Sequence, residues 1–195
     1  MKITDLRVFW TEGAHSNWIF VKLYTDSGLT GVGEASLERF DAAVVKALES
    51  FKDFLLGKDP FQVEYIWNAL YKSTFWPGGI IILTALSAVE QALLDIKGKE
   101  LGVPVYELLG GKLRDRVRAY ANAWAFQEIV TELKPEDTPE SMAKNALKMV
   151  KKGFTAMKWD PFRNGGQVIP KSEEEFAIAC VKAVREAVGP SVDLM

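Results

Sequence analysis

The feature that most constrains this chain is its rhythm after Gly110-Gly111-Lys112. Residues 117–122 read as a strand, 139–152 as an amphipathic helix closed by Gly153, and 154–160 as a second strand stopped by Pro161. Residues 173–188 form a second helix ended by Gly189-Pro190, and residues 191–195 open a third strand. Strand, helix, strand, helix, strand at roughly 35-residue spacing is a βα repeat, and a crossover helix between strands makes the sheet parallel. A closed (β/α)-barrel takes about 250 residues, roughly 30 per βα unit. The stretch after Gly111 holds two such units and one further strand. A three-stranded parallel sheet alone leaves its faces poorly covered, so this half is expected to be an incomplete, interrupted barrel.

The earlier part has a different period. Ile3, Leu6, Val8 and Trp10 alternate loosely with polar neighbours, and residues 17–25 are rich in β-branched and aromatic side chains. Asp26-Ser27-Gly28 supplies turn chemistry before a third strand, residues 30–35, weakened by Gly31 and Gly33. These make an antiparallel meander, with residues 11–16 as a polar surface loop. The period then becomes helical, with Val44, Ala47, Leu48, Phe51 and Leu55 on one face. Gly57 and Pro60 separate this helix from a second, in which Phe61, Tyr65, Trp67 and Leu70 are expected to be buried. After a loop at residues 73–79, a long helix carries Leu86, Val89, Leu93 and Ile96 on one side. Trp10, Trp67 and Met149 are expected in the core. The expected organisation is an α+β domain over residues 1–113 and the start of a barrel over 114–195.

Composition removes several classes of function. With 48% hydrophobic and 26% charged residues the chain reads as globular, and a net charge of −2 gives no general attraction to nucleic acid or an anionic membrane. The single cysteine, Cys180, excludes an internal disulfide and fits a reducing, cytoplasmic setting; it is expected to be a buried, inert thiol. His15 is the only histidine, so no histidine cluster can bind a metal. Residues 79–94 form the most apolar stretch, but Thr84, Ser87, Glu90 and Gln91 interrupt it and it is too short to span a bilayer. The N-terminus has no apolar run of signal-peptide length. Gly31-x-Gly33 lacks the following helix and third glycine of a dinucleotide fingerprint, and Gly110-Gly111-Lys112 lacks the spacing of a phosphate loop. The acidic run Glu173-Glu174-Glu175 suits the first turn of a helix.

Three segments together carry a resemblance: the N-terminal meander, the run Ala85-Leu86-Ser87-Ala88-Val89-Glu90-Gln91-Ala92-Leu93-Leu94-Asp95-Ile96-Lys97-Gly98-Lys99, and Gly102-Val103-Pro104-Val105-Tyr106-Glu107-Leu108-Leu109-Gly110-Gly111. The chain resembles the mandelate racemase and muconate lactonizing enzyme branch of the enolase superfamily. Residues 153–162 are most similar to the acid-sugar dehydratases of gluconate and galactonate type. The resemblance implies an α+β capping domain over a TIM-like barrel that binds Mg²⁺, with the metal ligands expected beyond Met195. It implies removal of a proton α to a carboxylate, stabilisation of the enediolate by the metal, and loss of a β-hydroxyl. Alternatives are another reaction of the superfamily, such as racemisation, epimerisation or cycloisomerisation, and a non-catalytic fragment that needs a partner chain. The resemblance also implies a homo-oligomer and a sugar-acid substrate.

Lys158 and Asp160, two apart at the end of a strand, share one face, which in a barrel is the interior mouth. In racemases and cycloisomerases of the family a Lys-x-Lys pair stands here; the second lysine is replaced by Asp160, which favours the dehydratase reading. Lys158 and Asp160 are therefore the catalytic candidates. His15 and Trp18 beside the first loop, and Phe75 and Trp76 in the second, match capping positions that shape specificity in the family. Asn122 and Trp124, at the end of the first barrel strand, could line the same mouth. Asp193 is read as strand body, not as a metal ligand.

Overall fold

Three strands open the chain: β1 (Ile3–Thr11), β2 (Trp18–Thr25) and β3 (Thr30–Glu34). They pair antiparallel in the order β1-β2-β3, the meander expected from the alternation. The computed structural model describes residues 1–13, 16–73, 75–125, 137–162 and 168–195. The chain divides into two compact units, Met1–Leu113 and Arg114–Met195.

The looseness of the first alternation has a local cause. The β1–β2 register shifts between Ile3 and Asp5, so Ile3 and Leu6 both face the core although they are three apart. The Asp5 side chain secures this bulge by accepting from Leu6 N–H at 2.9 Å and Arg7 Nε at 2.9 Å. Lys52 Nζ also reaches Asp5 Oδ1 at 2.6 Å.

Four helices follow in the first unit: α1 (Asp41–Leu55), α2 (Val63–Tyr71), α3 (Ile80–Leu101) and the short α4 (Val105–Leu108). On α1 the five positions read from the sequence, Val44, Ala47, Leu48, Phe51 and Leu55, are the buried ones. They join Ile19, Val21 and Leu23 of the sheet and Leu86, Val89, Leu93 and Ile96 of α3 in one core. On α2 the buried face is Val63, Ile66 and Leu70, so only Leu70 of the expected set is fully buried. Tyr65 is 55% exposed, Phe61 is half-buried, and Trp67 is half-buried and stacked on Tyr71 at 5.0 Å. The aromatic residues of α2 thus flank the core, while the aliphatic ones fill it. Trp10 is also not core: it is 52% exposed at the end of β1, which among the described residues is an edge strand paired with β2.

The glycines of β3 find their explanation in α3. A Cβ on Gly31 would lie 1.9 Å from the Ala92 carbonyl oxygen, and one on Gly33 would lie 1.9 Å from that of Ala88. The helix backbone therefore lies directly on the strand backbone. Its side chains then complete the strand's unpaired edge: Val32 N–H donates to Asp95 Oδ2 at 3.0 Å, Glu34 N–H to Gln91 Oε1 at 3.0 Å, and Lys99 Nζ to the Thr30 carbonyl at 2.8 Å. Gln91, Asp95 and Lys99 follow at four-residue intervals, one helical row above one strand edge.

The second unit contains α5 (Pro139–Lys151), β4 (Ala156–Met157), α6 (Lys171–Val188) and β5 (Asp193–Leu194). Thr138 and Ser141 form a capping box at the start of α5, and Glu173 and Glu174 fall in the first turn of α6. β4 and β5 pair in parallel, as the βα rhythm requires. The strands are shorter than expected. Residues 117–122 make only one bridge, Ala121 to Met157, also parallel, and Val117 is 82% exposed. The chain leaves the ladder after Asn122 because Ala123 takes a left-handed conformation, φ 53°. Cys180 is buried against Met142, Ala146 and Val184, as a small apolar residue would be. Among the described residues, no helix is long and apolar enough to cross a membrane.

Two tests follow from the first unit. Gly31→Ala and Gly33→Ala are each expected to cost about 3 kcal/mol in denaturant unfolding, because backbone rather than a flexible side chain must move. Gly28→Ala, at φ 86° with nothing within 4 Å, is expected to lose only the cost of a left-handed residue, about 1 kcal/mol. The second concerns pH. Lys52, then Arg7, hold the Asp5 carboxyl down to about 2. A carboxyl lowered on folding contributes stability above its unfolded value, near 4, that is lost as pH falls toward 2. Unfolding free energy of the wild type should decline across that window, and Asp5→Asn should flatten the decline.

Candidate functional site

The second unit presents a sheet with two unlike faces. Ala121, Met157 and Val192 are buried with Met142 and Ala146 of α5 and Cys180 and Val184 of α6, and Trp159 and Leu194 pack against the same cluster. These residues face the helices. Strand alternation turns Asn122, Ala156, Lys158, Asp193 and Met195 to the opposite face. The parallel register sets Ala121 beside Met157 and Met157 beside Leu194, so Asn122, Lys158 and Met195 fall on one row at the C-terminal strand ends.

That row is held by main-chain bonds. Lys158 N–H donates to the Ala121 carbonyl at 2.8 Å, Trp159 N–H to the Met195 carbonyl at 3.2 Å, and Met195 N–H to the Met157 carbonyl at 2.9 Å. Lys158 and Asn122 are exposed. Asp160 is exposed too, and its Oδ1 accepts from Phe162 N–H at 2.8 Å, closing the turn at Pro161. No ion pair joins Lys158 to Asp160. The structure thus brings Asn122 and Lys158 onto one row and places Asp160 in the turn that ends the strand. Trp124 is elsewhere: it is 6% exposed within the helix-facing core, with its ring edge against Trp159 at 5.1 Å.

The other end of the same face is closed by charge. Arg118 Nη1 bonds Asp193 Oδ2, its Nε reaches Thr155 Oγ1 at 2.9 Å and its Nη2 the Thr155 carbonyl at 2.6 Å. Asp193 is therefore engaged in tying neighbouring strand starts together. Sequence reasoning missed Arg118, since nothing in the order of residues 114–118 distinguishes it from Arg114 and Arg116.

In the first unit Trp18 is 45% exposed at the start of β2, opposite Thr11. Phe75 and Trp76 are 87% and 82% exposed in the loop before α3, edge to face at 5.0 Å. His15 lies outside the described residues. Beside that loop a cavity of about 580 Å³ is lined by Glu34, Ser36, Gly79, Ile80, Thr84 and Ser87, among others. A further signal absent from the sequence reading is Asp41, at the start of α1. One of its oxygens accepts from Asn17 Nδ2 at 3.2 Å, while Oδ1 is buried without a hydrogen-bond partner.

Among the described residues, no three of His, Cys, Asp and Glu come together to hold a metal ion. The described residues by themselves therefore supply no ligand set for the divalent cation that the resemblance implies.

Comparisons with known proteins agree with this architecture. Residues 7–110 match the mandelate racemase / muconate lactonizing enzyme, N-terminal domain. D-galactonate dehydratase of Pectobacterium atrosepticum is 35% identical over 193 residues, 99% of this chain and 47% of its own length. The D-galactonate dehydratase of Variovorax paradoxus gives the same figures, 35% identity over 99% of this chain and 47% of its own. A Mesorhizobium loti protein provisionally described as a dehydratase superposes over 100% of this chain and 52% of its own, with a TM-score of 0.91 and 39% identity. A member of the enolase superfamily from Salmonella Typhimurium superposes over 100% of this chain and 54% of its own, with a TM-score of 0.87 and 32% identity. The chain spans about half the length of the curated relatives it matches.

Exposure of the aromatic loop gives a direct test. Phe75→Ala and Trp76→Ala are each expected to shift unfolding free energy by less than about 0.5 kcal/mol. A larger loss in thermal or denaturant unfolding would make the loop a packing element. Taken together, the meander laid on α3, the parallel βα unit after it and the match over residues 7–110 mean that this chain belongs to the mandelate racemase / muconate lactonizing enzyme family.

Proposed function

We propose that this chain is the N-terminal part of an acid-sugar dehydratase, with residues 1–113 as the capping domain and 114–195 as the start of the barrel. The observation that carries the reading is the 35% identity to D-galactonate dehydratases over 99% of the chain. Support comes from Lys158, which stands on the face turned away from the helices, at the strand ends where barrel enzymes act.

Dehydration of a sugar acid removes the proton beside the carboxylate and expels the hydroxyl one carbon further on. The α-proton is weakly acidic, so the developing negative charge needs preorganised positive groups. In this reading the Lys158 ammonium meets the anionic end of the substrate, or its amine holds the proton in transit at Nζ. Asn122, on the same row, supplies a neutral amide that can donate to a substrate oxygen and accept from a hydroxyl. Asp160 holds the turn beside Lys158 and adds a carboxylate to the mouth. His15, Trp18, Phe75 and Trp76 are the capping-domain candidates for recognising the rest of the sugar. Mg²⁺ is the cofactor of the reading, and its ligands are assigned to the barrel remainder beyond Met195. The completed enzyme is proposed to be cytoplasmic and homo-oligomeric.

An apolar groove of about 550 Å³ lined by Phe162, Ala177, Ile178, Val181 and Leu194 is consistent with further βα units packing beside α6 and β5. The test is to measure native and denaturing masses of the protein from its source and to assay the same material on D-galactonate and related sugar acids. Dehydration by a species with about twice the 21.8 kDa of this chain supports the proposal. Dehydration by the 21.8 kDa chain alone, or a completed assembly inert on all sugar acids, overturns it. In the active assembly Lys158→Met is expected to lower kcat/KM by about a hundredfold or more, with unfolding unchanged.

A further inference from the structure

Both main-chain polar groups of Lys158 are taken by one short segment. Its N–H donates to the Ala121 carbonyl at 2.8 Å, and its carbonyl accepts from the indole Nε1–H of Trp124 at 3.1 Å. The second bond is not a sheet bond. It exists because the chain reverses at Ala123, a non-glycine residue at φ 53°, and folds the Trp124 ring back against the sheet. A left-handed alanine costs about 1 kcal/mol, so the surrounding contacts must outweigh it. Those contacts are the burial of Trp124 to 6% exposure and its edge-to-face packing on Trp159 at 62° and 5.1 Å. Trp159 follows Lys158 directly and points into the helix-facing core, so alternation turns Lys158 the other way. Of the two indoles in this pair, Trp159 leaves its buried Nε1 without a partner, and Trp124 spends its own on Lys158.

We propose that Trp124 is a positioning residue: its indole N–H holds the Lys158 carbonyl and so fixes the main chain from which Lys158, turned outward by strand alternation, projects. This rests on the role proposed above for Lys158, and it reassigns Trp124 from lining the substrate mouth to acting through its neighbour.

The experiment is amide hydrogen exchange by NMR on the protein from its source and on its Trp124→Phe variant, which keeps an aromatic ring and removes the N–H. Exchange at the Lys158 and Trp159 amides should accelerate by about tenfold, the loss of one hydrogen bond. The Asp193 and Met195 amides, bonded to the Thr155 and Met157 carbonyls, should hold their rates. Unchanged exchange at Lys158 and Trp159 overturns the proposal. Uniform acceleration through α5, α6 and the ladder also overturns it, because Trp124 would then be core packing alone. Should Trp124→Phe not fold, the unaltered protein still decides: a protected Trp124 indole proton with a scalar coupling to the Lys158 carbonyl supports the bond, and absence of both refutes it. Lys158→Met keeps the main-chain bond, so its effect on dehydration tests the role of Lys158 separately from its positioning.

Discussion

The contact on which the first unit depends is that between α3 and β3. Helix and strand usually pack through side chains, about 10 Å apart. Here Gly31 and Gly33 remove the side chains on the strand, and Ala88 and Ala92 present their carbonyl oxygens where Cβ atoms would have stood. The approach brings Gln91, Asp95 and Lys99 within hydrogen-bond reach of an edge that would otherwise offer open N–H and C=O groups to any passing strand. Satisfying that edge and closing the core are one event. The close approach and the three side-chain bonds together set the register of α3 on the sheet.

The second unit solves a different problem. Its strands are too short for ladder bonds alone to set their geometry, so other groups do the work at both ends. Arg118 ties Thr155 and Asp193 at the N-terminal end, and the indole of Trp124 holds Lys158 at the C-terminal end. Between them, burial of Met157, Trp159, Val192 and Leu194 against α5 and α6 decides which side chains are left for the open face. Lys158 is presented by what its neighbours bury rather than by any contact of its own amine.

Membership of the mandelate racemase / muconate lactonizing enzyme family gives these local facts a common purpose. A sheet whose strand ends carry exposed polar side chains relies on the buried side of the sheet for its rigidity. In the second unit Asn122 and Lys158 are exposed at the strand ends while Met157 and Val192 are buried beneath them; in the first unit Phe75 and Trp76 are exposed in the loop before α3. The described residues contain no trio that could bind a metal, and the chain spans about half of its curated relatives.

Sequence periodicity determined the element types and most of the core. The spacing of Val44, Ala47, Leu48, Phe51 and Leu55 admits one buried helix face, and the alternation in residues 18–25 admits one buried strand face. The order of strands and helices likewise determined which pairs are antiparallel and which parallel. Tertiary structure decided what periodicity does not encode. It exposed Tyr65, because the aliphatic residues of α2 fill the core, and Trp10, because it stands at the end of an edge strand. It reduced residues 117–122 to a single bridge, because a strand exists only where a partner receives its bonds. It gave Gly31 and Gly33 their purpose, which depends on a helix some sixty residues away. And it placed Trp124 behind Lys158 instead of beside it, since that position depends on a left-handed turn at an alanine that no local propensity announces.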